Sequence, residues 1–305
     1  MTAAAPLARY PALRKLAAPL LFVAAFVLFV VWSFPYDDLA RRLEQEARAA
    51  GGDLVIEKLG AGGLLGVTAR GVKLRLPAAP GVEASPELRF DRVDARVDLL
   101  PLLLRRVSFA WAVEGYGGRA RGRGALAKDQ RLGPLESLTL DTTDLDVQKL
   151  PARELIGLEL GGRVAAKVDL PQMLPPDQAS GRAAVTFKGM AITGGAVRGF
   201  TLPKLSLGDV EAGATIEKGL AKIERTTARN GDVEAEVSGT IRMKPLLSLS
   251  QADLNVRFKP SDAWLNANPM LRGLLSAVGN ARQPDGSYLF TLTGPLSNIA
   301  SRPGR

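Results

Sequence analysis

From Asp53 to the end of the chain, apolar and polar residues alternate along many short segments. A β-strand points successive side chains to opposite faces of a sheet, so a period of two is typical of strands with one apolar and one polar face. The clearest segments are 72–76, 92–99, 164–170, 183–187, 233–237 and 254–258. This pattern predicts a mainly β chain and limits the possible folds more than any other feature of the sequence.

Turn residues separate these segments and indicate antiparallel pairing. Asn230-Gly231 and Asp285-Gly286 contain residues that tolerate positive φ, as tight hairpin turns require. Alanine is common at inward positions and glycine inside strands, which favours bends and bulges. We therefore expect a strongly curved antiparallel sheet whose apolar face forms a trough. Residues 171–177, where prolines interrupt the alternation, are the best candidate for an internal seam.

The apolar face makes a direct prediction about stability. Val97 and Val185 fall on this face by their position in the alternation. If the face is dry, an aspartate at either position is expected to destabilise the fold by roughly several kcal/mol, because a buried carboxylate lacks its water.

Residues 16–34 form an uncharged apolar run. As a helix this run would be about 28 Å long, which matches the hydrocarbon core of a bilayer. Arg9, Arg14 and Lys15 precede it and acidic residues follow it, so the positive-inside rule predicts a cytoplasmic N-terminus. A cleaved signal peptide is the alternative, but the run is longer than a usual signal-peptide core. We predict a cytoplasmic tail at 1–15, a transmembrane helix at 16–34 and an inner-membrane, single-pass protein with most of its chain in the periplasm.

Two further helices are expected. Asp37 or Asp38 is a suitable N-cap, and the glycines at 51 and 52 are a suitable stop, for a juxtamembrane helix within residues 35–52. Residues 53–305 then form the periplasmic β-rich domain. Apolar residues at helical spacing predict a second helix over 269–278, interpreted as a core helix that caps the end of the sheet.

The chain contains no histidine and no cysteine, which excludes most enzyme classes. Catalytic triads and the usual zinc, copper or haem sites need one of these residues. Asp141, Asp144 and Asp146 have a spacing that suggests metal ligands, but they lack the rest of a calcium loop and are interpreted as a solvated strand face. We predict no catalytic, cofactor-binding or metal-binding residues and no enzymatic activity. A glycan hydrolase that uses Asp and Glu remains a minor alternative.

Residues 117–124 are the densest basic segment, in a chain with 40 basic and 31 acidic residues and a net charge of +9. An arginine-glycine arm for nucleic acid is one interpretation, but few aromatic residues accompany it. A hairpin with outward arginines fits better, so no nucleic-acid partner is expected. The loose dinucleotide fingerprint at Gly115, Gly117 and Ala120 is not followed by a sequence suited to a phosphate-facing helix.

Several segments resemble a known family. The chain is similar to the N component of type II secretion systems, especially the myxobacterial form, and more loosely to AsmA-like proteins. The resemblance rests on an anchor that ends in Phe34-Pro35-Tyr36 and on residues 99–103, 113–118, 231–241, 245–250 and 285–296. All of these motifs are strand-and-turn patterns, and they bring no catalytic residues.

The resemblance implies a non-enzymatic accessory or structural component of a machine that exports folded proteins across the outer membrane. Its expected partners are other inner-membrane platform proteins and the membrane itself. The AsmA-like similarity implies the alternative, a lipid-binding or lipid-transfer protein that uses an apolar β-groove. In that case lipid is a further partner.

Overall fold

The computed structural model describes residues 33–49, 51–63, 65–76, 85–104, 106–127, 134–197 and 200–304. The predicted cytoplasmic tail and nearly all of the predicted transmembrane segment 16–34 lie outside these residues. Within the described part of the chain, no helix combines the length and the apolar character needed to cross a membrane.

The described residues form one antiparallel sheet of 15 strands, which confirms the mainly β, antiparallel prediction. The strands are β1 (Asp53–Ala61), β2 (Gly66–Arg75), β3 (Glu87–Val97), β4 (Ser108–Gly115), β5 (Gly118–Leu126), β6 (Leu135–Asp146), β7 (Leu158–Gln172), β8 (Ser180–Val197), β9 (Phe200–Thr201), β10 (Leu205–Glu217), β11 (Leu220–Arg229), β12 (Val233–Arg242), β13 (Gln251–Pro260), β14 (Tyr288–Pro295) and β15 (Ala300–Pro303). Strands adjacent in the chain are adjacent in the sheet, except that β10 lies beside β8 and the two-residue β9 pairs only with β8. Residues 171–177, the predicted seam, end β7 and lead into β8, and these two strands pair along their length.

In the described residues, five α-helices accompany the sheet. They are α1 (Tyr36–Ala49), α2 (Leu99–Leu103), α3 (Ala152–Ile156), α4 (Asp262–Ala267) and α5 (Pro269–Ala277). Helix α1 lies within the predicted 35–52 segment, and Gly51 follows its end with a φ of 85°. Helix α5 lies at the predicted position 269–278, but none of its residues is buried, so its interpretation as a core helix was wrong.

The sheet is a single layer in the described part of the chain. Strands contact mainly their neighbours in the sheet, and the longest helix, α1, packs on β1. The core formed there contains Leu59, Ala69 and Val72, against which Tyr36 and Leu39 of α1 pack. Other buried apolar side chains, among them Ala228, Val233 and Tyr288, lie towards the opposite edge of the sheet.

Strand register assigns the side chains to two faces. One line of residues crosses seven strands on the apolar face and is called here the apolar row: Ala95, Trp111, Gly122, Leu140, Val168, Ala183 and Ala214. These residues are all half-buried. The face that the alternation predicted is thus continuous, but it is less enclosed than a protein core.

Candidate functional site

The three aspartates considered as metal ligands have separate partners. Asp141 lies 3.5 Å from a guanidinium nitrogen of Arg121, and Asp144 lies 3.1 Å from Arg163. Asp146 accepts a hydrogen bond from the backbone nitrogen at position 148. Among the residues described, no group of three or more carboxylate, histidine or cysteine side chains is placed to hold a metal ion.

The basic segment 117–124 forms a β-hairpin. Strands β4 and β5 pair up to Gly115 and Gly118, with a two-residue turn at 116 and 117. Arg119, Arg121 and Arg123 lie on one face of β5 and are exposed. This placement agrees with the predicted hairpin with outward arginines, and the loose dinucleotide fingerprint falls on the same hairpin instead of on a strand followed by a helix.

A groove crosses the strands on the polar face, with a volume of about 1210 Å³. Its wall includes two neighbouring rows of residues. The first row is Asp94, Ala112, Arg121, Asp141, Lys167, Ala184 and Gly213, and the second is Arg96, Ala110, Arg123, Thr139, Asp169, Arg182 and Thr215. The apolar row runs between these two rows and also borders the transverse groove, although its side chains belong to the opposite face of the sheet. From β3 to β10 the groove is about 29 Å long, at roughly 4.8 Å between strands.

One end of the transverse groove holds a hydrogen-bonded carboxylate. Asp94 accepts hydrogen bonds from Arg92 at 3.0 Å and from the hydroxyl of Thr68 at 2.5 Å. Burial alone would raise the pKa of Asp94, but these hydrogen bonds and the charges of Arg92 and Arg70 outweigh burial and lower the pKa. The hydrogen bond to Asp94 in turn raises the pKa of Arg92. At this end of the groove, Arg92 and Asp94 therefore form a hydrogen-bonded ion pair.

Four cations of the groove have a different environment. Arg96, Arg123, Lys167 and Arg182 form no ion pair within 4 Å among the residues the structure describes. They are distributed over β3, β5, β7 and β8, so a positive charge recurs at intervals of about 5 to 10 Å across the sheet. These four side chains can therefore bind anionic groups through ion pairs.

Sequence reasoning did not find the transverse groove. Its side chains are the polar half of the same alternation that predicts the strands, and within one strand this half indicates only a solvent-exposed face. The groove needs the register of strands far apart in the chain, for example Asp141 opposite Lys167 and Asp169 opposite Arg182.

The apolar face is the second candidate site. Large and small side chains interlock on it: a Cβ at Gly122 would lie 2.7 Å from the ring of Trp111, and one at Gly124 would lie 2.8 Å from the ring of Phe109. The aromatic rings therefore lie across the glycines of the neighbouring strand. Such a surface offers an apolar chain many close contacts and no charged group.

Comparisons with protein-family models, curated proteins and solved structures found no match to this chain.

Proposed function

We propose that this chain is a non-enzymatic accessory component of a type II secretion system, anchored in the inner membrane through residues 16–34. The resemblance of residues 99–103, 113–118 and 285–296 to the N component of these systems supports the proposal. The protein acts by contact with the platform proteins of the inner membrane.

The observation that carries the proposal is the single-layer sheet with an open apolar face. A sheet with one apolar face normally buries that face against a second layer. In the described residues Tyr36 and Leu39 of α1 cover one end of this face, and the apolar row beyond it is half-buried. An uncharged, half-buried row of this kind is suited to contact with a partner or an apolar ligand.

Deletion of the gene tests the secretion function in a cell that carries a type II system. We expect secreted proteins to accumulate in the periplasm and to be recovered in the medium when the full-length gene is restored. Normal secretion by the deletion strain, with the other components still produced, would contradict the proposal.

A second candidate function is lipid binding along the apolar face. The apolar row supports it, because this half-buried line crosses seven strands and has no charged side chain among its members. The transverse groove lies on the opposite face, so an acyl chain would lie along the apolar row itself and be shielded from water by contact with its side chains. Both candidates use the same face and need no catalytic residue.

Two adjacent substitutions on opposite faces test the lipid candidate. Val168 belongs to the apolar row, whereas Lys167 lies on the transverse groove. We expect native mass spectrometry after mild detergent extraction to find phospholipid on the wild type and on Lys167→Asp, and to find much less on Val168→Asp. Phospholipid that is absent from the wild type, or equally retained by both variants, excludes this function for the apolar face.

A further inference from the structure

The connections at the two ends of the strands differ in how many large apolar side chains they expose. We call the end that contains the connections 62–65, 98–107, 243–250 and 296–299 the upper rim, and the end that contains 147–157 and 261–287 the lower rim. Among the described residues, eight exposed large apolar side chains lie in upper-rim connections: Leu65, Leu99, Leu100, Leu102, Leu104, Leu246, Leu249 and Ile299. Four lie in lower-rim connections: Leu155, Ile156, Met270 and Leu274.

Helix α1 starts at the upper rim. The backbone nitrogen of Gly52 donates to the carbonyl of Ala47 at 2.9 Å, so the end of α1 lies beside the beginning of β1 at the lower rim. Glu44 accepts a hydrogen bond from the backbone nitrogen of Ile56, halfway along β1. Tyr36, at the start of α1, packs on the core that contains Leu59 near the other end of β1. The helix therefore runs antiparallel to β1 and begins at the upper rim.

The position of Tyr36 also locates the apolar run 16–34. This run ends at Phe34, two residues before α1, and two residues of extended chain span at most about 7 Å. A bilayer that holds residues 16–34 must therefore lie next to the upper rim. Strands β1 and β3 are about 10 Å apart in the sheet, so the connection after β3 lies close to this point.

That connection carries the densest group of exposed leucines. Leu99, Leu100, Leu102 and Leu104, here called the leucine loop, are all exposed, and Leu100 and Leu104 are 77% and 73% exposed. A backbone hydrogen bond closes the base of the leucine loop: the nitrogen of Asp98 donates to the carbonyl oxygen of Ser108 at 2.9 Å. The side chains are therefore presented outward from the short helix α2 and from Leu104, which follows it, at the rim nearest the apolar run.

We propose that the leucine loop inserts into the membrane interface beside the anchor and holds the sheet end-on, with its upper rim on the bilayer. This inference rests on the proposed anchor at 16–34. A lipid surface fits because apolar side chains gain by leaving water at the boundary of the acyl chains. Orientation on the upper rim would also bring one open end of the apolar face to the bilayer.

The absence of cysteine from the chain makes the orientation measurable in the full-length protein. Three single-cysteine variants are labelled with an environment-sensitive fluorophore and reconstituted into phosphatidylcholine-phosphatidylglycerol vesicles with spin-labelled lipid as quencher. Leu100→Cys reports on the leucine loop and Val27→Cys on the proposed anchor. Met270→Cys is the matched control, because Met270 is 68% exposed but lies at the lower rim.

We expect the labels at positions 27 and 100 to be blue-shifted and quenched, and the label at position 270 to remain unquenched. Quenching at position 27 with no difference between 100 and 270 would overturn the end-on orientation and leave the anchor intact. Equal quenching at 100 and 270 would mean that the sheet lies flat, which also overturns it. No quenching at position 27 would reject the anchor and this inference together.

Discussion

Glycines within the strands make room for aromatic rings on the neighbouring strand. The ring of Trp111 lies where a Cβ of Gly122 would be, and a Cβ there would also clash with the carbonyl oxygen of Thr139. At Gly60, in contrast, a Cβ would meet no atom within 4 Å. The same residue type thus has a packing role at one position and none at the other.

Substitution of these two glycines tests that difference. We expect Gly122→Ala to destabilise the fold by about 1 to 3 kcal/mol, because the added methyl group displaces a ring or the backbone. Gly60→Ala should change stability by less than about 0.5 kcal/mol. Urea unfolding followed by circular dichroism measures both, and equal midpoints for the two variants would contradict the packing of Trp111 over Gly122.

The lowered pKa of Asp94 predicts a pH-dependent contribution to stability. A carboxylate with a lower pKa in the folded state than in the unfolded state stabilises the fold above the ordinary aspartate pKa of about 3.9. This contribution is lost as the pH falls through the lowered folded-state pKa. We therefore expect Asp94→Asn to lower the urea midpoint near neutral pH, and the difference from wild type to shrink on acidification.

The control for this measurement is Asp253→Asn. Asp253 is exposed on the polar face and forms no ion pair within 4 Å in the part of the chain that the structure describes. Its substitution should leave the midpoint almost unchanged at every pH. A difference between Asp94→Asn and wild type that is as large in acid as at neutral pH would refute the proposed charge interaction.

At the scale of elements, α1 protects an edge of the sheet. Strand β1 is an edge strand, and edge strands present unpaired backbone groups that can pair with other chains. Glu44 accepts a hydrogen bond from the nitrogen of Ile56 at 3.3 Å, and Leu39 packs on the core below. Helix α1 thus covers both the edge and one end of the apolar face.

Two leucines on the same helix test this role. We expect Leu39→Glu to release α1 and to accelerate amide exchange in β1 and β2, since a charge cannot remain against the core. Leu43 is 39% exposed, so Leu43→Glu should leave exchange close to that of wild type. Unchanged exchange in the Leu39 variant would show that α1 does not cover the edge.

At the scale of the whole molecule, burial is uneven. Val72 is 7% exposed within the core beneath α1, whereas Val97 is 38% exposed although both belong to the alternating pattern. The expectation that an aspartate at Val97 meets a dry face was therefore wrong. No second layer covers the upper end of β3 in the described residues, so water reaches this side chain.

This difference predicts opposite outcomes for one substitution. Val72→Asp should destabilise the protein by about 3 kcal/mol or more, because a carboxylate is placed in the core. Val97→Asp should cost less than about 1 kcal/mol. Urea midpoints compare the two variants, and a large loss at Val97 would mean that another part of the chain covers the apolar face.

Local patterns were sufficient to predict the strands, the antiparallel class, the position of α1 and a hairpin that includes the basic segment 117–124. These features depend on residues close together in the chain, such as the alternation along β7. Turn chemistry was less informative: Tyr116-Gly117 and Lys218-Gly219 have positive φ at both positions, whereas at Asn230-Gly231 a positive φ occurs only at Asn230. A tight hairpin can impose positive φ on a residue that does not favour it.

The sequence by itself determined that each strand has an apolar and a polar face, because alternation is a property of the strand alone. Only the tertiary structure decided that α1 covers one end of the apolar face and that the polar face forms a groove lined by Arg96, Lys167 and Arg182. Register and layering depend on pairing between residues distant in the chain. The side chains that a strand exposes therefore become a site only when the neighbouring strands are in place.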